Sequence, residues 1–225
     1  MNKSGFQAGR SEASFLHSSI MAATLGMGCF WSPEALFGHL PGVVRTRVGY
    51  AGGTAADPTY RQMGDHSETI QIAFDSEIVS FEEILEVFWD NHNPDNINDY
   101  KGRQYRSILF YTDAQQIETI RRVLKKRTVH GVPEPSTEIA PFAKFYPAED
   151  RHQKYYLKRY PDAMEKLSEW YPTQEELIDS TLAARLNGLA KGYTNLERIV
   201  NEIEHWQFQA DVQKRMVELV KRIRW

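Results

Sequence analysis

The sequence contains a single cysteine, Cys29, among 225 residues. A thiol with no second thiol in its chain cannot form an internal disulfide, which excludes a disulfide scaffold and favours a reducing, cytoplasmic location. No apolar run approaches the ~18 residues that span a bilayer, so no membrane association is expected. The formal net charge is −3, and no long basic run interleaves with aromatic residues, so nucleic acid is not an expected partner. The seven histidines are scattered without metal-ligand spacing, and no bound metal is expected.

The first twenty residues are rich in serine and glycine and show no helical or strand periodicity. Residues 1–20 are therefore predicted to be a flexible tail. Lys3 and Arg10 among the serines are a faint sign of a transit segment, whereas Glu12 and the short length argue against one. A start at Met21, or a remnant of an expression vector, is the alternative.

Cys29 stands in Gly-Met-Gly-Cys-Phe-Trp-Ser-Pro-Glu, residues 26–34. By base rate, a lone cysteine is more often a small buried hydrophobe than a nucleophile. The following Ser-Pro-Glu is typical of a helix N-terminus, with Ser32 as the N-cap. The sulfur is then expected beside the positive end of a helix dipole, which favours the thiolate. Phe30 and Trp31 are either core residues or the wall of a small apolar pocket.

Strands and helices interleave along residues 22–156, which predicts an α/β sandwich with helices packed on a sheet. The predicted strands lie at 22–26, 44–48, 70–74 and 107–111, and the predicted helices lie at 33–40 and after Ser80 and Asp113. The strand at 44–48 alternates with Arg45 and Arg47, which predicts one solvent-facing side. Residues 49–67 have no periodicity, and so long an aperiodic loop is more often functional than idle.

The character of the chain changes to helical after residue 156. A capping box at Thr173 to Glu176 begins a predicted helix that Gly192 ends, and residues 195–225 have near-helical apolar spacing. This region is interpreted as a helical extension packed on the sandwich. The alternative is a dimerisation or partner surface.

Five motifs follow one another in the first half of the chain, and a sixth ends the series. They are residues 26–34, 40–53 (Leu-Pro-Gly-Val-Val-Arg-Thr-Arg-Val-Gly-Tyr-Ala-Gly-Gly), 57–60 (Asp-Pro-Thr-Tyr), 65–68 (Asp-His-Ser-Glu), 101–107 (Lys-Gly-Arg-Gln-Tyr-Arg-Ser) and 145–155 (Phe-Tyr-Pro-Ala-Glu-Asp-Arg-His-Gln-Lys-Tyr). In this order and spacing the chain resembles the peptide methionine sulfoxide reductases of the A type, over roughly residues 25–156. With this resemblance, the expected fold is α+β: a two-layer α/β sandwich with a ferredoxin-like core at 21–156, the catalytic domain, and a helical C-terminal extension at 157–225.

Sulfoxide reduction needs a thiolate to attack sulfur, an acid to protonate the oxygen and further donors to hold that oxygen. The resemblance implies residues for each role: Cys29 as nucleophile, Glu68 as acid, Tyr60 and Tyr105 as hydroxyl donors, and Phe30 and Trp31 as the wall that receives the substrate methyl. Without the resemblance, Glu68 would be interpreted as a surface acid and the tyrosines as packing residues. Tyr50 is expected to be structural.

The sequence departs from the family pattern at a carboxylate that usually stands five residues before the second tyrosine. Tyr100 occupies that position here, and Asp99 lies one residue further upstream. A loop displaced by one residue would still deliver a carboxylate, so Asp99 is a further catalytic candidate.

A second departure is the lack of the resolving cysteines that many relatives carry near the C-terminus. Attack by Cys29 then leaves a sulfenic acid that an external thiol must reduce: thioredoxin, or glutathione with or without glutaredoxin. No bound cofactor is expected. Arg103 and Arg106 would attract an acidic thiol, unless they are solvated or paired.

The resemblance implies turnover of the S epimer, in oxidised proteins, peptides or free methionine sulfoxide. Two other classes of function need different residues. A binding module for oxidised methionine would not need a thiol beside an acid, and a thiol peroxidase would not need the aromatic pair or the second tyrosine.

Overall fold

A six-stranded sheet in the order β5-β4-β1-β3-β2-β6 forms the centre of the fold. The computed structural model describes residues 19–97, 99 and 101–225. The strands are β1 (Ile20–Met27), β2 (Val43–Ala51), β3 (Ser67–Asp75), β4 (Ser107–Tyr111), β5 (Glu138–Pro141) and β6 (Phe145–Pro147). All neighbouring strands are antiparallel except β4 and β5, which are parallel. The expected tail falls almost wholly outside the described residues.

Helices connect and follow the strands. They are α1 (Trp31–Gly38), α2 (Phe81–Asp90), α3 (Ala114–Val129), α4 (Pro161–Ser168), α5 (Gln174–Asp179), α6 (Thr181–Lys191), α7 (Leu196–Ile203) and α8 (Ala210–Lys221), with short 3-10 turns at Arg103–Tyr105 and Leu157–Arg159. Within the described ranges, no helix is long and apolar enough to cross a membrane. The mixed α/β architecture predicted from the alternating pattern is confirmed.

Helix starts with strong local signals lie where the sequence predicts them. The Ser80 hydroxyl accepts the N–H of Glu83, and the Glu83 carboxylate accepts the N–H of Ser80, which is a complete capping box. Asp113 caps α3 by accepting the N–H of Gln116. These caps form because each satisfies a backbone donor that has no partner inside the helix.

The predicted cap of α1 is wrong. The helix begins at Trp31, its N-cap is Phe30, and no side chain caps it. Ser32 lies inside the first turn, and its hydroxyl instead bonds the Tyr156 hydroxyl at 2.8 Å. A tertiary partner 124 residues away therefore uses the group that the local pattern assigned to capping.

The single helix predicted between Thr173 and Gly192 is two helices. Ser180 has an extended backbone (φ −78°, ψ 141°), so α5 ends there, and its hydroxyl caps α6 by accepting the N–H of Ala183. The break brings Asp179 opposite β2, where its carboxylate binds Arg47 at 2.5 and 2.6 Å. The predicted solvent-facing side of β2 is therefore partly covered by α5.

Helices α1 and α6 approach each other through glycines on both sides. A Cβ atom at Gly38 would lie 2.8 Å from the carbonyl oxygen of Ala184, and one at Gly188 would lie 2.5 Å from Cβ of His39. Only glycine permits such close backbone contact. One apolar cluster covers one face of the sheet, and another forms among the helices between Leu157 and Ile223.

A buried ion pair joins α1 to the segment that follows β6. The Lys154 ammonium donates to Glu34 Oε1 at 2.7 Å and to the carbonyl oxygen of Thr46 at 2.6 Å. The backbone N–H of Lys154 donates to the other Glu34 oxygen at 2.7 Å. Both side chains are fully buried, so neither charge has access to water.

Replacing Lys154 by methionine is expected to lower the free energy of unfolding by about 3–5 kcal/mol, because Glu34 would keep a buried charge without its partner. Denaturant titration followed by circular dichroism measures this. The control is Lys166→Met, which breaks the more exposed pair with Asp162 and is expected to cost under about 1 kcal/mol. Equal losses in the two variants would contradict the prediction.

Candidate active site

Cys29 lies in the turn between β1 and α1. Gly28 has a φ of +88°, a conformation that glycine adopts without steric cost, and this turns the chain from strand to helix. A Cβ at Gly26 would lie 2.7 Å from the carbonyl oxygen of Glu68. Glycine at this position therefore lets β1 approach β3 closely, next to the carboxylate that the site needs.

Glu68 is the second residue of β3 and is 1% exposed. One carboxylate oxygen accepts the backbone N–H of Phe30 at 3.1 Å, and the other accepts the Gln104 side-chain amide at 2.7 Å. Burial raises the pKa of Glu68 above its ordinary value, against the opposing effect of the two donors. Glu68 is thus a buried acid, and the surface interpretation is wrong.

The two predicted tyrosines meet near this carboxylate. The Tyr105 hydroxyl is hydrogen-bonded to Tyr60, and Tyr105 is within electrostatic reach of both Glu68 and Cys29. Burial, followed by the Glu68 charge, raises the pKa of Tyr105. The Tyr105 hydroxyl therefore remains a protonated donor around neutral pH.

The Cys29 thiol is not activated as the sequence pattern predicts. Burial, and to a smaller degree the charge of Glu68, raise its pKa to about 11, although a hydrogen bond from the backbone of Trp31 lowers it. The predicted preference for the thiolate is wrong for the free protein. Protonation of Glu68 would remove this repulsive charge and so lower the pKa of the thiol.

The two residues that follow Cys29 belong to an aromatic cluster. Phe30 is fully buried, and the Trp31 indole is stacked on Tyr155 with ring centroids 3.8 Å apart and planes 4° from parallel. His152 lies against both Phe30 and Trp31. Gln104, His152 and Tyr155 lie in the motifs at 101–107 and 145–155, but their spacing alone assigns them no role.

The aperiodic loop before β3 is held by its own polar groups. The buried His66 ring accepts the N–H of Gly53 at 3.0 Å and bonds the carbonyl of Ala55 at 2.8 Å. Asp65 accepts the backbone N–H groups of Thr54 and Ala55, which lower its pKa to about 2. In residues 19–97, 99 and 101–225, no group of three or more His, Cys, Asp or Glu could hold a metal ion.

Asp99 is not brought to this cluster. It is exposed, has a left-handed φ of +61°, and exchanges hydrogen bonds with Asn96. Its catalytic role stays a prediction. Arg103 and Arg106 both pair with Glu138, and Arg103 also donates to the carbonyl groups of Asp65 and Gly52. Both arginines are therefore paired.

A family model described as "Peptide methionine sulfoxide reductase" matches residues 21–185. The chain belongs to the peptide methionine sulfoxide reductase family. It is 42% identical over 183 residues to a peptide methionine sulfoxide reductase of Drosophila melanogaster, covering 81% of this chain and 73% of the relative. It is 41% identical over 145 residues to MsrA of Methanococcus maripaludis (strain C7), covering 61% of this chain and 92% of the relative.

The solved structure of methionine sulfoxide reductase A of Corynebacterium diphtheriae is similar to this peptide methionine sulfoxide reductase, with a TM-score of 0.55 and 31% identity over 65% of this chain and 77% of that one. The family assignment made from the motifs is confirmed, and with it an oxidoreductase acting on methionine sulfoxide. The family match continues beyond residue 156 into α6, further than the motifs reach.

Proposed function

We propose that this peptide methionine sulfoxide reductase reduces the S epimer of methionine sulfoxide, in proteins, peptides or as the free amino acid, and so repairs oxidised proteins. The observation that carries the proposal is the cluster of Cys29, Glu68, Tyr60 and Tyr105. It combines a thiol, a buried acid of raised pKa and two hydroxyl donors, which are the groups that sulfoxide reduction requires.

In the proposed reaction, the Cys29 sulfur attacks the sulfoxide sulfur while Glu68 gives a proton to the sulfoxide oxygen. The oxygen is transferred to the Cys29 sulfur, which is oxidised by two electrons to a sulfenic acid. The substrate sulfur is reduced by two electrons, and methionine leaves. The proton that the Cys29 thiol loses on attack passes to Glu68. It replaces the proton that Glu68 gave to the sulfoxide oxygen.

The two tyrosines and the two wall residues act by holding the substrate in place. Tyr60 and Tyr105 donate hydrogen bonds to the developing negative charge on the oxygen, in a site that is partly shielded from water. Phe30 and Trp31 receive the substrate methyl, whose burial is worth about 0.8 kcal/mol. Such a wall would favour a methyl sulfoxide over bulkier alkyl sulfoxides.

An external thiol completes the cycle, because the sequence has no second cysteine. We propose thioredoxin, or glutathione with glutaredoxin, as the reductant. Turnover of a methionine sulfoxide peptide, with each reductant supplied separately and each sulfoxide epimer offered alone, tests reaction and recycling together. Absence of methionine release with every reductant would overturn the proposed function.

With one equivalent of methionine S-sulfoxide and no reductant, oxidation is expected to stop at a sulfenic acid on Cys29, since no second thiol of the chain can condense with it. Mass spectrometry should find one added oxygen, or a dimedone adduct, on the peptide that contains Cys29. About one methionine should be released per chain.

The Cys29→Ser variant, treated in the same way, is the control and should gain no dimedone adduct. A disulfide-linked dimer as the dominant product would contradict the prediction. That product would mean that recycling passes through a second copy of the protein.

Finer features of the fold belong to the same proposal. The order β4-β1-β3-β2, antiparallel throughout, supports a ferredoxin-like core. The second apolar cluster, which begins at Leu157, supports a division into a catalytic domain at 21–156 and a helical extension at 157–225. The single cysteine supports a cytoplasmic location.

A further inference from the structure

His152 lies among three aromatic side chains of the site. Its ring centroid is 4.7 Å from that of Tyr60, 5.5 Å from that of Phe30 and 5.9 Å from that of Trp31. The His152 side chain is 6% exposed. The histidine is therefore in contact with the methyl wall and with one oxygen-holding tyrosine, while it is remote from solvent.

The indole N–H of Trp31 donates to Nδ1 of His152 at 3.3 Å. Burial lowers the pKa of His152, which favours the neutral ring that can accept a hydrogen bond. The groups facing its other nitrogen are Glu149, with Oε2 3.9 Å from Nε2, and Arg151, with Nε 3.1 Å away. The Arg151 Nε–H also points at Nε2, and a neutral ring has only one acceptor nitrogen. The indole bond therefore forms in the tautomer whose hydrogen is on Nε2, and in that tautomer Arg151 keeps Glu149 as its partner.

Glu149 connects this histidine to the tyrosine. Its carboxylate accepts the backbone N–H of Tyr60 at 3.2 Å and the hydroxyl of Tyr50 at 2.7 Å. Tyr60 therefore has its backbone fixed by Glu149 and its ring in contact with His152. Glu149 and His152, which both belong to the 145–155 motif, therefore both act on Tyr60.

The Trp31 indole is held from two directions. Tyr155 covers one face by stacking, a contact that does not by itself fix the rotation of the indole in its own plane. The hydrogen bond to His152 acts at the N–H edge and fixes that remaining freedom. His152 thus contacts both Trp31 and Tyr60 and contributes to the distance between this wall and the Tyr60 side chain.

We infer that His152 is a positioning residue that sets the fit between the methyl wall and the oxygen-holding hydroxyl, and so restricts the enzyme to methyl sulfoxides. The inference rests on the proposed function of this site. His152 acts through Trp31 and Tyr60, and it takes no part in proton transfer. Its loss should therefore weaken substrate selection more than it slows the chemical step.

Two variants distinguish the effect of the aromatic ring of His152 from the effect of its acceptor nitrogen. His152→Phe keeps an aromatic ring but has no acceptor, whereas His152→Asn places a carbonyl oxygen near the position of Nδ1. Steady-state kinetics with N-acetyl methionine sulfoxide and N-acetyl ethionine sulfoxide measures selection for methyl over ethyl. In His152→Phe we expect KM for the methyl substrate to rise about tenfold, the preference for methyl to fall about tenfold, and kcat to stay within about threefold. His152→Asn should recover most of the preference.

A readout that needs no turnover accompanies the kinetics. In protein labelled with ¹⁵N-tryptophan, the Trp31 indole N–H resonance is assigned by its loss in Trp31→Phe. It should move upfield in His152→Phe and return towards the wild-type position in His152→Asn. The resonance tests the role of His152 without turnover. The proposed function fails by a different result, which is that the wild-type protein releases no methionine.

The control is His39→Leu, a half-buried histidine at the end of α1 whose ring bonds Leu36 and which should leave methyl preference unchanged. An unchanged methyl preference in His152→Phe would overturn the inference, as would a fall in kcat alone. A resonance that does not move, or loss of the folded state in both His152 variants, would also overturn it. The last outcome would show that His152 holds the fold rather than the pocket.

Discussion

Replacing Cys29 by serine is expected to reduce turnover by roughly 10,000-fold or more while the free energy of unfolding stays within about 1 kcal/mol of wild type. A hydroxyl is nearly the size of a thiol but is a far weaker nucleophile, and the sequence holds no other thiol to replace it. Methionine release from an S-sulfoxide peptide with excess reductant measures the rate. Denaturant titration measures stability.

Substrate binding supplies the control for this variant. Calorimetry should find the peptide bound by Cys29→Ser with an affinity within a few fold of wild type, because Phe30, Trp31 and the tyrosines remain. Turnover within tenfold of wild type would refute Cys29 as the nucleophile. It would require oxygen transfer directly to the external reductant.

Replacing Glu68 by glutamine is expected to lower kcat by about 100- to 10,000-fold with little change in KM. The amide carbonyl can still accept the N–H of Phe30, but the side chain is no longer a proton donor of comparable strength. Its new amide group would face the amide of Gln104, which must flip to become an acceptor. The fold is therefore expected to tolerate the change.

Steady-state kinetics of Glu68→Gln beside Glu138→Gln checks this expectation. Glu138 is a partly exposed carboxylate that pairs with Arg103 and Arg106, and its variant should keep kcat within about threefold. A rise in KM alone in Glu68→Gln would make Glu68 a binding residue. An equal loss in both variants would point to a general electrostatic effect instead.

Several elements were predictable because the signals that form them are local. Ser80 and Asp113 cap helices through groups only three residues away, and Gly192 ends α6 with the left-handed φ of +90° expected of a glycine. The alternation of Ile70, Ile72 and Phe74 follows from the two-residue period of a strand with one buried face. In these places, neighbouring residues determine the structure.

Local signals failed where a distant partner was available. Ser32 bonds Tyr156 rather than capping α1, and Ser180 interrupts a continuous apolar pattern. The alternation of β2 predicts that Arg47 faces solvent. Its partner Asp179 is 132 residues away, and the local pattern does not record it. Hydrogen bonds and ion pairs of this kind depend on which surfaces meet after folding, and spacing within a motif does not record that.

The sequence by itself determined the family, because the family follows from which residues are present and in what order, and it predicts the nucleophile, the acid and an external thiol. Only the tertiary structure decided the state of those residues. Burial and the charge of Glu68 raise the pKa of Cys29, and contacts across 121 residues join Trp31 to His152. Desolvation and hydrogen bonding arise when the chain closes around a site, so the same motifs in an open chain would carry the groups without these shifted pKa values and contacts.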